Sequence, residues 1–360
     1  MRVLLIEDYS GFHKNLKEGL IELGHDVHIA TRGDGFKETT TSDLPFFNSK
    51  NKIARKLEKI YFPIFNLKKY YGYDIVQLIN HDVFGGLKFK YNQFLINRLK
   101  ANTGKLFVAA AGTDYFVYNN RNQFSYNPYD ESLATDFNNG NPYIKKEYIR
   151  NNKEIISLVD GIIPIMYDYA LAYRNQTNVV KTIPLPINTK KIDFIPQTIK
   201  NNKLKIFHGL NRTGFKGTKY IKEAMFMIKE KYPDDVELII DGKMPLKKYL
   251  ELLKDSNIVI DQALSYSYGM NAVYSMAMGK VVLSGNEPEC QEEFCRMDIP
   301  IINIKPSVED IYNKLEKLVL DKTSVIEIGK KSRLFVEEFH NHVKVAQQYI
   351  DTWNSVEGKK

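Results

Sequence analysis

The sequence predicts an α/β protein of two domains, each built on a parallel sheet. Three observations predict it. Short apolar runs alternate with stretches of helical spacing along the chain, the pattern of βαβ units. The 360 residues exceed what one core usually holds, since single cores rarely grow past about 250–300 residues. The alternation breaks once, at Pro184, Pro186 and a Lys/Ile/Asn run, and restarts at Lys203. The expected domains are therefore residues 1–188 and 203–338, joined by a linker at 189–202.

In the first domain, residues 2–6 (Arg-Val-Leu-Leu-Ile) read as a buried parallel strand. Leu16, Gly19, Leu20 and Leu23 then space out one helical face, Gly24 ends it, and residues 26–30 form a second strand. The loop between strand and helix carries Asp8, Ser10, Gly11 and His13 at the carboxyl end of the first strand, where ligands sit in open parallel sheets. With one glycine in that loop, the dinucleotide fingerprint is absent, which argues against a nicotinamide cofactor. Residues 33–50 are Gly/Thr/Ser-rich and read as a loop. Residues 74–79 and 105–111 read as the third and fourth strands, tipped by Asn80-His81-Asp82 and Gly112-Thr113-Asp114. Right-handed crossovers bring those tips to the same edge as Asp8 and His13. Residues 119–143 read as a long loop, and 161–165 and 179–183 as the strands that complete the sheet.

In the second domain, strands are expected at 205–209, 236–242, 258–261 and 280–283, with helices at 215–231, 245–255 and 270–278. Val308, Ile311, Leu315 and Leu318 keep helical spacing, and a final helix spans 323–354. The turn from Tyr266 through Ser267 and Tyr268 to Gly269 leads from strand to helix, with Gly269 freeing the backbone to aim N–H groups outward. The first N–H groups of that helix, at Met270 and Asn271, lack internal partners and favour an anion such as a phosphate. A second anion device follows the strand at 205–209. There Arg212 and Lys216 share a loop with Gly209 and Gly217, and guanidinium and ammonium together suit a diphosphate.

Composition narrows the class. Nothing approaches the roughly 18 apolar residues of a membrane span, and the apolar run at residues 3–6 is too short for a signal peptide. Cys290 and Cys295 are too few for a disulfide framework or structural zinc site. A cytoplasmic protein is expected. The net charge of +8 is uneven: between residues 50 and 105, Lys and Arg outnumber Asp and Glu twelve to three, with tyrosines and phenylalanines interleaved. This segment is either a solvated face or a peripheral contact with the inner face of the cytoplasmic membrane. No recognition motif accompanies it, so nucleic acid is not an expected partner.

Gly209, Arg212, Lys216 and Gly217, with the run from Tyr266 to Gly279, resemble the retaining nucleotide-sugar glycosyltransferases of the GT-B fold, the group 1 (family 4-like) type of bacterial cell-surface polysaccharide assembly. In that family a Gly-Arg and a Lys-Gly grip the donor diphosphate; here Arg212 and Lys216 stand one residue closer together. The family's Glu-Gly-Phe-Gly and Glu-Ala-Met-Ala-x-Gly align with residues 266–269 and 274–279. The resemblance covers nearly the whole chain. It implies two Rossmann-like domains facing across a cleft, and a C-terminal helix at 339–360 that packs back on the first domain. It also implies a base site at Gly242, Lys243 and Met244, and donor contacts from Tyr266, Ser267, Tyr268, Gly269, Met270, Asn271 and Tyr274.

The chain departs from the family pattern at three places. Both motif glutamates are replaced, by Tyr266 and Tyr274, and a phenol offers one weak acceptor where a carboxylate accepts two hydroxyls. The family's pocket histidine falls at Thr113, beside Asp114. One strand–helix unit before Gly242 is missing. The expected reaction is sugar transfer from a UDP- or GDP-linked donor to a glycan or lipid-linked saccharide. Arg212 and Lys216 would stabilise the departing diphosphate without a metal or other cofactor, and the acceptor would enter past Asp8, Ser10, Gly11, His13, His81 and Thr113. Asp114 is the polar candidate for a base, or else a helix cap. A nucleotide-sugar epimerase and a non-catalytic nucleotide- or glycan-binding scaffold are the alternatives. Oligomeric state is not legible.

Overall fold

The computed structural model describes residues 1–33, 40–46, 51, 57–58, 61, 65–81, 89–131, 140–242, 244 and 246–358. The 33–50 loop, the basic segment at 50–105 and the 119–143 loop therefore lie partly outside the described residues, and Lys243 lies wholly outside them.

The first domain runs β1 (Arg2–Ile6), α1 (Phe12–Glu22), β2 (Asp26–Ala30), β3 (Ile75–Leu78), α2 (Phe89–Lys100), β4 (Lys105–Ala110), α3 (Tyr115–Asn119), α4 (Lys146–Leu158), β5 (Gly161–Pro164) and α5 (Tyr167–Tyr173). Its sheet has the order β2-β1-β3-β4-β5, every pair parallel. Val3, Leu4, Leu5 and Ile6 are fully buried, as a central strand covered on both faces requires.

The second domain runs β6 (Leu204–Gly209), α6 (Thr213–Lys216), α7 (Thr218–Lys231), β7 (Val236–Asp241), α8 (Leu246–Asp255), β8 (Ile258–Ile260), α9 (Met270–Ala277), β9 (Val281–Ser284), α10 (Pro288–Glu293), β10 (Ile301–Asn303), α11 (Val308–Leu320) and α12 (Lys322–Phe339). Its sheet is again parallel, in the order β10-β9-β8-β6-β7. A last helix, α13 (His342–Ser355), returns to the first domain and lies against α1. Gly19 lets the two backbones meet, since a Cβ there would fall 2.1 Å from the His342 carbonyl oxygen. Buried Trp353 donates its indole N–H to Gln77 Oε1 at 3.2 Å, which ties α13 to β3. No helix among the described residues is long and apolar enough to cross a membrane.

Four expectations change. Residues 179–183 add no sixth strand; Val179 makes a single bridge to Ile162, and Pro184 and Pro186 have no N–H to extend a ladder. The helix expected at 215–231 is two helices, broken at Gly217, whose φ of 71° caps one and starts the next. The helix expected at 323–354 is also two. Asn341 begins the second by accepting the N–H groups of Val343 and Lys344. Strand β10, three residues long, is an addition that its sequence does not announce.

Candidate active site

The carboxyl ends of both sheets open onto one cavity of about 920 Å³ between the domains. In the second domain the site stands where the strand order reverses, between β6 and β8, the usual ligand position in an open parallel sheet. The β6–α6 loop carries Arg212 there in a left-handed conformation, φ 54°. Its guanidinium lies 3.9 Å from the Phe215 ring centroid and has no hydrogen bond or ion pair among the described residues. Lys216, at the end of α6, is mostly buried and pairs with Asp261 at 2.8 Å. Asn271 donates to the same Asp261 oxygen at 2.8 Å. Burial works to raise the Asp261 pKa, but the Lys216 charge and these hydrogen bonds hold it below the ordinary carboxylate value. His208 lies beneath, fully buried between Ile260 O and the Thr218 hydroxyl, and burial lowers its pKa to about 4.

Helix α9 begins at this cavity. Val273 N–H makes the first bond back to Gly269 O, leaving the preceding N–H groups without helical partners. Gly269 itself is extended, φ −110°, so no special backbone freedom is required of it. What distinguishes it is space: no described atom lies within 4 Å of where a Cβ would stand.

No family model matches the sequence, and no curated protein matches it. Solved structures do match. Sucrose-phosphate synthase from Thermosynechococcus elongatus superposes with a TM-score of 0.65 at 15% identity, over 98% of each chain. HepE of Anabaena, solved with UDP-glucose, gives 0.59 at 12% identity over 99% of this chain and 100% of that one. WaaG, a glycosyltransferase involved in lipopolysaccharide biosynthesis, gives 0.59 at 13%, over 99% of this chain and 100% of its own. This is the GT-B fold.

Within the GT-B cleft, Ser10, Thr113, Arg212, Lys216, Gly242, Met244, Gly269, Met270, Asn271 and Tyr274 all stand on the cavity wall. Tyr274 receives a hydrogen bond from Asn15 Nδ2 at 3.2 Å, and burial raises its pKa to about 12. Gly11 packs behind it; a Cβ there would come within 2.7 Å of the Tyr274 hydroxyl oxygen. Gly209 ends β6 behind the wall, against Phe207 and Tyr249.

Other sequence-picked residues face away from the GT-B cavity. Asp114 is buried; it caps α3 through Val117 N–H at 2.9 Å and accepts the Tyr173 hydroxyl. Of its two readings the cap is the one observed, and burial raises its pKa. His13 donates from Nδ1 to Glu7 O at 2.6 Å and accepts Gln77 at Nε2; burial lowers its pKa to about 4, so it is a neutral core residue. Asp8 accepts the His13 backbone N–H at 2.8 Å and the Thr40 hydroxyl. His81 is buried with its ring edge-on to Tyr148. Asp8, His81 and Asp114 stand at the sheet edge, while Tyr9, Tyr148 and Tyr169 beside them line the cavity.

The Tyr266 hydroxyl receives Ser125 N–H at 2.9 Å, and its ring packs among Phe124, Tyr126 and Tyr167. Buried Tyr268 donates to His340 Nε2 at 3.0 Å at the α12–α13 junction, and Ser267 is buried beside it.

Several residues on the wall belong to no sequence motif. Tyr129, Tyr143 and Tyr169 line the first-domain side, and Tyr249 and Leu250 stand with Met244 on the other. Asp168, from the first turn of α5, binds the second domain through Ser265 and Tyr266. The available signal was position alone, since Asp168 follows the carboxyl end of β5.

Proposed function

We propose that the chain is a retaining, metal-independent glycosyltransferase. It moves a hexosyl group from a UDP- or GDP-linked donor to a glycan or lipid-linked saccharide, in assembly of a bacterial capsule, lipopolysaccharide or exopolysaccharide. One observation carries the reading: Arg212, without a hydrogen bond or ion pair among the described residues, the Asp261-paired Lys216 and the open N-terminus of α9 converge on a single cavity between two domains. Negative charge grows on the diphosphate as the sugar leaves. Cations and backbone N–H groups already in place stabilise that charge without reorganising. The apolar wall of Met244, Tyr249 and Leu250 beside Gly242 suits a nucleobase, and the tyrosine-rich wall opposite suits the acceptor. The reading is supported by fold neighbours solved with UDP or UDP-glucose and by one involved in lipopolysaccharide biosynthesis. Exposed Leu57, Tyr61 and Phe65 in the basic segment support peripheral contact with the inner membrane face.

Thermal unfolding with UDP, GDP and ADP tests the reading. A ligand at one hundred times its dissociation constant stabilises the fold by about 2.7 kcal/mol. One diphosphate should raise the midpoint of the wild type, and Arg212→Ala and Lys216→Ala should abolish the rise. No shift with any diphosphate removes the physical basis of the proposal.

A second reading, a nucleotide- or glycan-binding scaffold, is favoured by the internal use of the Tyr266 and Tyr274 hydroxyls and by the pairing of Lys216 with Asp261. It differs in releasing no nucleoside diphosphate when donor and acceptor saccharides are both present.

A further inference from the structure

A first-domain segment, residues 120–131, leaves α3 and runs along the cavity to the second domain. Among the described residues it joins neither sheet. A 3₁₀ turn (Arg121–Gln123) opens it, and Asn127 Oδ1 folds its far end by accepting Tyr129 N–H at 2.9 Å. Without a ladder of its own, such a stretch holds its place through the groups it touches. Phe124, Tyr126, Asn127, Pro128 and Tyr129 stand on the cavity wall.

Among the described residues, three polar fastenings join this segment to the second domain. Ser125 N–H donates to the Tyr266 hydroxyl oxygen at 2.9 Å, and the Phe124 and Tyr126 rings pack on the Tyr266 ring with centroids 5.0 and 4.8 Å away. The Tyr126 hydroxyl donates to Glu287 Oε1 at 2.7 Å, and Asn303 holds the same oxygen at 2.9 Å. Glu131 Oε1 accepts the Tyr220 hydroxyl at 2.8 Å and pairs with Lys219 at 2.9 Å. All three sites are only part-buried. The join through α9 and α12 is of another kind. There Met276, Ala277, Phe335 and Val336 belong to one apolar core with Val345, Tyr349 and the first sheet. A part-buried hydrogen bond exchanges for one to water at little net cost, whereas parting an apolar core exposes its whole area.

The first fastening also bears on the anion site. Tyr266 stands three residues before Gly269, on the loop that opens α9, and its carbonyl oxygen accepts Glu287 N–H at 3.0 Å. One loop therefore holds both the segment and the helix start.

We propose that residues 120–131 are a releasable strap between the domains, and that its docking is coupled to filling of the anion site at α9. An anion that favours the docked arrangement tightens the strap, and releasing the strap weakens the anion by the same factor. The coupling rests on the nucleotide-sugar reading above; the strap does not.

The test is amide hydrogen exchange, followed by mass spectrometry, on the full-length wild type and two variants. One is Glu287→Gln, which keeps the shape but replaces a charge-assisted hydrogen bond by a weaker neutral one. The other combines Lys219→Ala with Tyr220→Phe and frees Glu131. None of these three residues lines the cavity, so a change in ligand affinity reads the strap. In the ligand-free protein, exchange across residues 120–131 should rise about three- to tenfold in either variant, with β1 unchanged. The ligand probes are UDP, GDP and ADP. A diphosphate that binds should slow strap exchange in the wild type, and its calorimetric affinity should fall about three- to tenfold in the variants. Strap exchange that neither variant changes, or a rise shared by β1, makes the segment a fixed part of the interface and overturns the proposal. A diphosphate that binds without slowing strap exchange overturns the coupling. A wild type that binds none of the three overturns the nucleotide-sugar reading and the coupling together, and exchange in the ligand-free protein still decides the strap. Should Glu287→Gln unfold the chain, the pair on α7, where Lys219 is exposed, carries the same test.

Discussion

The hydroxyl of Tyr274, on α9 of the second domain, lies 3.2 Å from Nδ2 of Asn15, on α1 of the first. Asn15 in turn donates to Gly11 O at 2.6 Å and accepts the Asn188 N–H at 2.8 Å, at the point where the chain leaves the first domain. Asn188 reaches Glu18 at 2.6 Å. One phenol thus joins the donor-side helix, the opposing helix and the connection between the domains.

Gly11 makes that junction sensitive to a single methyl group. Its φ is 81°, and an added Cβ would come within 2.7 Å of the Tyr274 hydroxyl oxygen. Gly11→Ala should lower unfolding stability by about 1–3 kcal/mol through backbone strain and this clash. Tyr274→Phe removes the clashing oxygen, so the double variant should lose less than the sum of the two single variants. Urea titrations of all four proteins measure the coupling. Strict additivity would show that the two residues do not meet.

The pairing of Lys216 with Asp261 sets an internal anion beside the proposed diphosphate site. Asp261→Asn removes that negative charge and leaves Lys216 short of a partner. Nucleoside diphosphate affinity should rise about tenfold, while stability should fall by about 1–3 kcal/mol for the broken, mostly buried pair. The two effects have opposite sign, so calorimetry and denaturation together separate them. Weaker binding would instead make Asp261 the residue that aims Lys216.

Buried imidazoles predict the acid response of the fold. His13, His208 and His340 each have a pKa lowered from 6.5 to about 4, in every case chiefly by burial. Between those values the unfolded chain binds protons that the folded chain refuses. Their contribution to stability is therefore full above pH 6.5 and is lost as pH falls toward 4, by up to about 1.4 kcal/mol per pH unit for each group. The urea midpoint should drop steadily as pH falls from 6.5 to 5. A flat midpoint across that range would sink the assignment of three neutral rings.

Much of the fold was legible because parallel strands buried on both faces are written as short apolar runs. Strand β2 lies at Asp26–Ala30, the residues its pattern marks, and Gly24 ends the preceding helical segment with a φ of 83°. The structure departs from the sequence pattern where the local signal is weak. Gly217 and Asn341 each divide a continuous helical pattern, and β10 is too short to show a period.

The sequence by itself determined two parallel-sheet domains, the break between them and the loops at their carboxyl edges, because periodicity and chain punctuation are local properties. It also marked Arg212, Lys216 and Gly269, whose side chains or backbone reach the cavity from a loop or a helix end. Only the tertiary structure decided which edge residues face the cavity. His13, His81 and Asp114 turn into the first domain's core, while Asp168, on a helix with no motif around it, meets the opposite domain. A residue's position on a strand tip is set by its neighbours in sequence. The direction its side chain takes is set by what packs against it, and here those partners lie as many as 98 residues away.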